Sequence, residues 1–344
     1  MRVKDIFKKH NQRVFVIAEI SANHGQNFNQ AVAMIRKAKA CGADAVKFQT
    51  YTPDTLTVNI DNRHFRLKHK EWGNQTLYQL YSKAYTPWDW FKRLKKAADK
   101  QGIVFFSTAF DNTAVDLLED LGVPFHKISS FELVDLPLIK YMAKTKKPLI
   151  FSTGMASLSE LTEAVTTARR AGAKDIILLK CVSNYPAKPE DMNLRSIPDM
   201  IKRFNCPVGI SDHTLGIGVS IAAVAFGARV IEKHFTLSRV DKTPDSFFSL
   251  EPKELKELVT NANLAQQSLG KVCYVLSDNE RQSLKFRRSL FAVKDIKKGE
   301  MFTKNNIRSI RPACGLAPKY LHKILGKKAK KNIKIGTPMK HDFV

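Results

Sequence analysis

The chain has 344 residues, of which 44% are hydrophobic, and its formal net charge is +25. This length favours two domains over one, and the apolar fraction is enough for a sizeable core. The N-terminal segment 1–5 lacks the apolar core of a signal peptide. The uncharged run 14–18 is far shorter than the about 20 residues that span a bilayer. These features argue against the secreted and membrane classes, and we expect no membrane partner.

Cysteine usage agrees with that expectation. The chain has 5 cysteines, an odd number, and none of them forms a CxxC pair. This spacing predicts reduced thiols rather than a disulfide framework or a zinc site. We therefore predict a cytoplasmic protein.

Positive charge is concentrated near the C-terminus. Residues 285–344 carry 17 Lys and Arg against 3 Asp and Glu. A basic tail is often a nucleic-acid-binding surface. Here the basic residues alternate with Ile, Phe and Leu as in a folded unit, and no aromatic-interleaved basic motif or zinc-finger spacing occurs. We predict no nucleic-acid partner, although a non-catalytic basic protein that binds carbohydrate or nucleic acid is an alternative.

From residue 14 onward, strand-like apolar runs alternate with amphipathic helical patterns. The predicted strands are 14–20, 45–50, 104–110, 125–130, 149–154, 176–182, 208–213 and 230–236. The helices predicted to follow them are 29–41, 88–100, 113–121, 136–144, 158–171, 198–204, 219–226 and 252–269. Eight strand–helix units are the number in a (β/α)8 TIM barrel, the α/β fold that we predict. A doubly wound open sheet is the alternative, but no Gly-x-Gly-x-x-Gly motif follows the first strand.

One connection, from Tyr51 to about Pro87, is too long for a simple strand-to-helix loop. It carries aromatic and basic side chains suited to a sugar or an anion, among them Arg66, Trp72 and Tyr78. Long loops on the carboxyl face of a barrel are often lids or specificity elements. A solvated insertion or an oligomer contact is the alternative.

Beyond Gly270 the pattern changes to short strands and turns. We predict a barrel domain over residues 1–272, a polar linker over 273–284 and a small domain over 285–344. A unit of about 60 residues is too small to be very stable alone. We expect it to lean on the barrel or on a second chain.

Two histidines, His213 and His234, each close an apolar run at the end of a predicted strand. In a parallel α/β fold the ligand crevice lies outside the carboxyl ends of the strands. Two imidazoles placed there could share a metal. Because two ligands do not fill a coordination shell, spacing alone leaves open that they are unrelated polar residues.

Polar residues gather at the other strand ends too: Glu19, Asn23, His24, Lys47, Gln49, Ser107, Thr108, Lys127, Ser130, Glu132, Lys180, Ser183, Tyr185, Ser211, Asp212 and Glu232. Lysines within β-rich segments are costly to bury without a partner. Lys47 and Lys127 therefore predict an anionic ligand such as a phosphate or a carboxylate, helped by nearby hydroxyls. The alternative is that each lysine forms a structural ion pair with one of the glutamates.

Several segments resemble the sialic acid synthase family. They are 17–24 (IAEISANH), 47–50 (KFQT), 127–130 (KISS), 152–155 (STGM), 185–186 (YP), 211–213 (SDH) and 232–235 (EKHF). Residues 295–300 and 311–312 resemble that family's antifreeze-like (SAF) β-clip domain. The match runs over nearly the whole chain. Residues 49–54, parts of the long insertion and residues 245–250 are most similar to the pseudaminic acid branch of the family.

This resemblance implies a transferase that condenses phosphoenolpyruvate with the open-chain aldehyde of an N-acyl amino sugar. The products would be a nine-carbon α-keto acid and phosphate. A divalent metal ion, Mn²⁺ or Mg²⁺, would be held by His213 and His234 and would polarise the aldehyde. The branch implies 2,4-diacetamido-2,4,6-trideoxy-L-altrose as the sugar, with sialic acid or legionaminic acid synthesis as alternatives. A barrel aldolase that forms a Schiff base at Lys47 or Lys127 is a further alternative.

The resemblance also implies roles for individual residues. The catalytic set would be Glu19, His213, His234 and Asp245. The substrate-binding set would be Lys47, Gln49, Thr108, Lys127, Ser130, Ser183, Tyr185, Ser211 and Arg311. Arg311 would reach the N-acyl group of a sugar bound by the other subunit, so a domain-swapped homodimer would be obligatory. Ser183 replaces the Asn of sialic acid synthases, and the family's second-domain aromatic is not evident around residues 287–288. Both departures favour a bis-acetamido trideoxy sugar over N-acetylmannosamine.

Overall fold

The computed structural model of the chain describes residues 13–69 and 71–344. The chain divides after Gly270 into two compact units. The first contains the predicted strand–helix units, and the second contains the short strands and turns. Among the described residues, no helix is long and apolar enough to cross a membrane.

Eight parallel strands close a barrel in the first unit. They are Phe15–Glu19, Ala45–Thr50, Val104–Ala109, His126–Ile128, Leu149–Ser152, Ile176–Cys181, Val208–Asp212 and Val230–His234. The first strand pairs with both the second and the eighth, which closes the ring. The strands are buried along almost their whole length, as expected for a parallel sheet covered by helices. The predicted TIM barrel is confirmed, and the open-sheet alternative is wrong.

A helix follows every barrel strand and covers the outside. These helices are Phe28–Ala40, Phe91–Gln101, Asn112–Asp120, Leu136–Lys144, Leu158–Arg170, Ser196–Phe204, Gly218–Ala225 and Pro252–Ser268. Local chemistry sets their starts: the Ser157 side chain accepts a hydrogen bond from the Glu160 amide, and the Glu160 carboxylate accepts one from the Ser157 amide. The helix that begins there buries Leu161, Val165 and Ala168.

The observed strands end earlier than predicted in several places. The fourth strand was expected to run to Ser130 but stops at Ile128, because residues Phe131–Val134 turn into a 3-10 helix. This early stop leaves Ser129 and Ser130 on the loop above the strand, where they line a pocket.

The long insertion between the second strand and its helix has structure of its own. It contains a short helix Pro53–Leu56, a hairpin of strands Arg66–His69 and Gly73–Thr76, and a helix Leu77–Ala84. Near the hairpin turn, the indole Nε1 of Trp72 donates to the carbonyl of Pro244 at 2.8 Å. The Trp72 ring also lies 5.8 Å from that of Tyr185. The hairpin is therefore fixed to the carboxyl face of the barrel.

The second unit is built from short strands around its own core. Strands Ser289–Ala292 and Ile307–Ile310 pair antiparallel, and isolated bridges join Ile296 to Ile333 and Met301 to Lys328. Short helices lie at Asp278–Ser283 and Leu321–Ile324. A cluster of buried apolar side chains fills the interior, among them Leu290, Phe302 and Met339. The unit thus has a hydrophobic core separate from that of the barrel.

Candidate active site

Barrel register brings the polar strand ends together. Glu19 lies opposite both His234 and Lys47 in the paired strands, and Thr108 lies opposite Lys127. The resulting pocket opens at the carboxyl ends of the strands. It is lined by Glu19, Lys47, Gln49, Thr108, Phe110, Lys127, Ser129, Ser130, Phe131, Ser152, Cys181, Tyr185, Ser211, His213, Glu232 and His234.

Lys47 is the centre of the charge network in this pocket. Its Nζ lies 2.6 Å from Glu19 Oε2 and 3.8 Å from Glu232 Oε1. It also donates to Thr108 Oγ1 at 3.0 Å. Burial alone would lower the pKa of Lys47, but the two carboxylates outweigh burial and raise it. The ammonium group is therefore kept charged although it is buried.

Lys127 supplies a second buried ammonium. Its Nζ donates to Ser152 Oγ at 2.6 Å and lies 4.0 Å from Glu232 Oε1. Burial lowers the pKa of Lys127, and the Glu232 carboxylate only partly opposes that fall. Both lysines thus lie near the Glu232 carboxylate, and each donates to a hydroxyl. An incoming anion could replace that hydroxyl as the acceptor.

The carboxyl groups of Glu19 and Glu232 have opposite pKa shifts. Burial raises the pKa of Glu19 to about 7, with Lys47 opposing the rise and Glu232 adding to it. Burial would also raise the pKa of Glu232, but Lys127 and Lys47 outweigh it and lower that pKa. Glu232 therefore carries the fixed negative charge, whereas Glu19 can exchange a proton near neutral pH.

A hydrogen-bond chain extends from Glu19 toward the loop after the eighth strand. Gln49 Nε2 donates to Glu19 Oε1 at 3.3 Å and to Ser21 Oγ at 2.8 Å. Ser21 Oγ donates in turn to Asp245 Oδ2 at 2.5 Å. Three predicted site residues, Glu19, Gln49 and Asp245, are thus connected through a residue outside the predicted set, Ser21.

The tautomer of His213 is set by the backbone. Its Nδ1 lies 2.8 Å from the carbonyl oxygen of Val182. Because a carbonyl can only accept, Nδ1 carries the proton and Nε2 keeps its lone pair. Tyr185 packs against the His213 ring with centroids 4.6 Å apart. The ring is therefore oriented with its basic nitrogen available as a ligand.

His234 has a nitrogen that other side chains leave unsatisfied. Within the described part of the chain, its buried Nδ1 has no hydrogen-bond partner. The nearest carboxylate oxygen, Asp245 Oδ2, is 3.6 Å away. Burial holds the pKa of His234 well below its usual value, and the positive charges of His213 and Lys47 add to that effect. The imidazole is thus neutral, the form that binds metals.

These donors suit a divalent cation. The rings of His213 and His234 lie 5.3 Å apart, and both line the same pocket. The described residues contain no group of three or more His, Cys, Asp or Glu side chains placed to hold a metal. Two nitrogen ligands leave most coordination positions for water or substrate, as catalytic sites require.

Comparison with known proteins agrees with this geometry. Residues 34–274 match a family model described as "NeuB family", which covers more than half of the chain. The chain belongs to the NeuB family. Residues 287–344 match the SAF domain, as the resemblance of the C-terminal segment predicted.

The relatives of this NeuB-family chain match it over most of its length. It is 43% identical to the pseudaminic acid synthase of Campylobacter jejuni over 97% of both chains. It is 40% identical to the N,N'-diacetyllegionaminic acid synthase of the same bacterium, over 94% of this chain and 98% of that one. A solved structure, the N-acetylneuraminic acid synthetase of Leptospira borgpetersenii in complex with citrate, has a TM-score of 0.71 and 34% identity, covering 80% of this chain and 91% of that chain.

The structure brings most of the predicted site residues of this family member into one pocket or its immediate surroundings. Ser130 Oγ accepts a hydrogen bond from the Gly154 amide at 3.1 Å, and Ser211 Oγ donates to Glu232 Oε1 at 3.0 Å. Ser183 is half-buried, with its Oγ 3.8 Å from Cys181 Sγ. Arg311 lies in the second unit and is exposed to solvent, so its predicted sugar contact stays a prediction.

Some residues belong to the site although the predicted set omitted them. They are Ser21, Ser152, Cys181 and Glu232. Glu232 was predicted at a strand end, on the same face as His234 by strand alternation, but it was given no catalytic or binding role. Ser152 ends the fifth strand, as Thr108 nearly ends the third. Ser21 carries no comparable signal, because a 3-10 helix rather than a strand places it.

Several of the polar residues predicted at strand ends do not line the pocket, and His24 and Lys180 are examples. His24 is fully buried: its Nε2 lies 3.0 Å from Thr86 Oγ1, and its Nδ1 accepts from the Gln26 amide at 3.0 Å. Trp90 packs edge-on against its ring. Lys180 alternates with the pocket residue Cys181 and so faces away from the pocket. Neither residue lines the pocket.

Proposed function

We propose that this NeuB-family chain is a pseudaminic acid synthase. It would condense phosphoenolpyruvate with 2,4-diacetamido-2,4,6-trideoxy-L-altrose and water, giving pseudaminic acid and phosphate. The observation that carries the proposal is the convergence of two buried lysines, several hydroxyls and two histidines in one pocket. The 43% identity to a pseudaminic acid synthase over nearly the whole chain supports this choice within the family.

Phosphoenolpyruvate would bind on the lysine side of the pocket. Lys47 and Lys127 hold two positive charges near Glu232, and the hydroxyls of Thr108 and Ser152 already accept from them. Charge-assisted hydrogen bonds from ammonium groups to carboxylate or phosphate are the strongest available in such a site. Ser130 and Ser211 would complete the contacts. The pocket thus offers both charge and donors to a small trianion.

The reaction forms one carbon–carbon bond and breaks one carbon–oxygen bond. C3 of phosphoenolpyruvate attacks the aldehyde carbon, which leaves an alkoxide there and an oxocarbenium-like centre at C2. Water adds to C2, and the C2–O bond then breaks so that phosphate leaves with the bridging oxygen. Of the two protons of that water, one ends on the alkoxide and the other leaves with the phosphate.

Glu19 is the residue we assign to the attacking water. A carboxyl with a pKa of about 7 can accept that proton at neutral pH. Lys47 at 2.6 Å keeps part of the Glu19 population ionised, and Gln49 orients the carboxylate from the other side. Lys47 and Gln49 thus hold Glu19 in place. Glu19 can take a proton from the attacking water and later pass it to another atom.

His213 and His234 would hold the divalent metal ion, Mn²⁺ or Mg²⁺. When bound, such an ion acts as a Lewis acid toward the aldehyde oxygen. The chain orients the His213 ring through Val182 and Tyr185, and burial keeps the His234 imidazole neutral. Asp245, 3.6 Å from His234, would contact the sugar or a metal-bound water.

The sugar would lie on the side of Tyr185, where the aromatic rings of Trp72 and Phe248 also gather. An apolar surface suits a trideoxy sugar, whose methyl group and acetamido methyls need burial. Arg311 of a partner subunit would bind an N-acyl group, so the working unit would be a domain-swapped homodimer. We propose that the enzyme works in the cytoplasm.

The direct test is release of phosphate from phosphoenolpyruvate in the presence of Mn²⁺. The altrose, the diacetamido trideoxy sugar that yields legionaminic acid, and N-acetylmannosamine would be offered separately. We expect turnover with the altrose, and ¹⁸O placed in the bridging position of phosphoenolpyruvate should appear in the phosphate. No turnover with any sugar would contradict the proposal.

Legionaminic acid synthesis is the second candidate, because the relative with that name is only slightly less similar at 40% identity. Preference for the legionaminic acid precursor would establish it. Preference for N-acetylmannosamine would instead move the chain to sialic acid synthesis.

A further inference from the structure

On the outer side of the seventh and eighth strands lies a buried ion pair that the proposed chemistry does not use. Asp212 and Lys233 are directly opposite each other in the register of these strands. Lys233 Nζ lies 2.9 Å from Asp212 Oδ2, and the two side chains are only 1% and 0% exposed. Because side chains alternate along a strand, this pair points away from the pocket that Ser211 and Glu232 line.

Both members of this pair make further hydrogen bonds. Besides Lys233, the Asp212 carboxylate accepts from the amide of Thr214 at 2.8 Å, from its hydroxyl at 2.7 Å and from Ser220 Oγ at 2.5 Å. Lys233 also donates to the carbonyl of Thr214 at 2.5 Å. A buried ion pair generally adds little stability over well-packed apolar residues. Stability alone therefore does not explain why the Asp212–Lys233 pair is buried here.

The position of the network in the chain supplies that reason. Asp212 and Thr214 are the residues on either side of His213, and both are bonded in the network. Lys233 is the residue before His234, so the same ammonium group joins the two strand ends. The network thus fixes the backbone around both histidines from behind, whereas the imidazoles themselves face the pocket.

We propose that the Asp212–Lys233 pair is a positioning device that holds His213 and His234 at the mutual spacing needed to bind one divalent cation. Neither residue touches substrate or metal; they act through the backbone of the residues next to them. This inference rests on the proposed metal site.

The test measures Mn²⁺ affinity directly, by calorimetric titration of the full-length protein without substrate. The principal variant is Asp212→Asn with Lys233→Met, which removes both charges together and leaves no buried ion unpaired. Supporting residues around metal ligands typically contribute 10- to 100-fold in affinity, so we expect Mn²⁺ binding to weaken by about 10- to 100-fold. The turnover rate should recover substantially at saturating Mn²⁺, since the reacting groups are unchanged.

A matched control comes from the opposite end of the barrel. Asp44 Oδ2 accepts from the amide of Val16 at 2.8 Å, near the amino ends of the strands. Asp44→Asn removes a carboxylate charge there and should leave Mn²⁺ affinity unchanged. If it weakens Mn²⁺ binding as much as the double variant does, general loosening explains both results and the inference is overturned.

Two further variants keep the outcomes separate. His234→Ala should abolish Mn²⁺ binding; if it does not, the proposed metal site itself fails. If it does and the folded double variant still binds Mn²⁺ like the wild type, only the positioning role fails. Thr214→Val, which removes one hydrogen bond and no charge, decides the matter if the double variant does not fold: weaker Mn²⁺ binding supports the inference, and wild-type binding overturns it.

Discussion

Replacement of Glu19 by Gln tests the assignment of the proton acceptor. Gln keeps the shape but only one acceptor oxygen, so one of the two donors, Lys47 or Gln49, keeps its partner at this position. The side chain can no longer take up a proton. Lys47 stays paired with Glu232 at 3.8 Å and with Thr108 at 3.0 Å. No buried charge is left alone, and we expect the variant to fold with phosphoenolpyruvate affinity close to that of the wild type.

The expected loss is in the turnover rate. General acid–base catalysis contributes about 10²- to 10⁴-fold, which corresponds to roughly 3 to 5 kcal/mol of activation free energy. Because the carboxylate is the active form and the pKa of Glu19 is about 7, kcat of the wild type should rise as pH increases through that value. In the variant this rise should disappear. Phosphate release would be followed from about pH 5.5 to 9. The kcat values of the wild type and the variant would be compared on the plateau above the pKa of Glu19.

A control variant separates catalysis from local packing. Glu132, whose pKa is also raised by burial, receives a hydrogen bond from Ser129 but does not line the pocket. Glu132→Gln should leave the pH profile of kcat unchanged. If Glu19→Gln retains the rise near pH 7, or if it loses phosphoenolpyruvate binding rather than turnover, Glu19 is a structural residue and our reasoning is wrong.

Three further outcomes are expected. His213→Ala and His234→Ala should each abolish turnover and calorimetric Mn²⁺ binding; full activity without added metal would contradict the metal assignment. Arg311→Ala should raise KM for the sugar far more than KM for phosphoenolpyruvate, and equal effects would argue against the partner-subunit contact. Burial lowers the pKa of His24 to about 4 from 6.5. The contribution of the neutral imidazole to stability is therefore complete above pH 6.5, and the free energy of unfolding falls by up to roughly 3 kcal/mol as pH decreases toward 4. His24→Gln should reduce this acid loss in urea unfolding at pH 7 and 4.5, whereas an unchanged difference would mean that His24 protonates freely in the folded chain.

Much of the barrel could be predicted from the sequence, because strand and helix periods are local properties. The ends of all eight predicted apolar runs, such as 45–50 and 230–236, lie within two residues of the observed strand ends. Placement of the site at the carboxyl face followed too, since all parallel strands end on the same side. Alternation then identified the inward faces carrying Lys47 and Gln49, and Glu232 and His234.

The partners within the site depend on closure of the barrel. The alternative of a structural ion pair is realised for Lys47, which pairs with Glu19 inside the pocket and beside Thr108. The anionic ligand of the two lysines stays a prediction. Glu132, the third carboxylate considered, bonds to Ser129 instead. Such choices depend on distances between strands far apart in the chain, which no local pattern encodes.

Local alternation determined that Asp212 and Lys233 lie on the opposite side of their strands from Ser211 and Glu232. Only the tertiary structure decided that they meet, because the register of the seventh and eighth strands is set when the ring closes. The same holds for His24, which the sequence places at a strand end and the fold buries beside Trp90. The sequence by itself determined which residues face inward and at which end of the barrel; burial and register decided which charges pair and which protons can move.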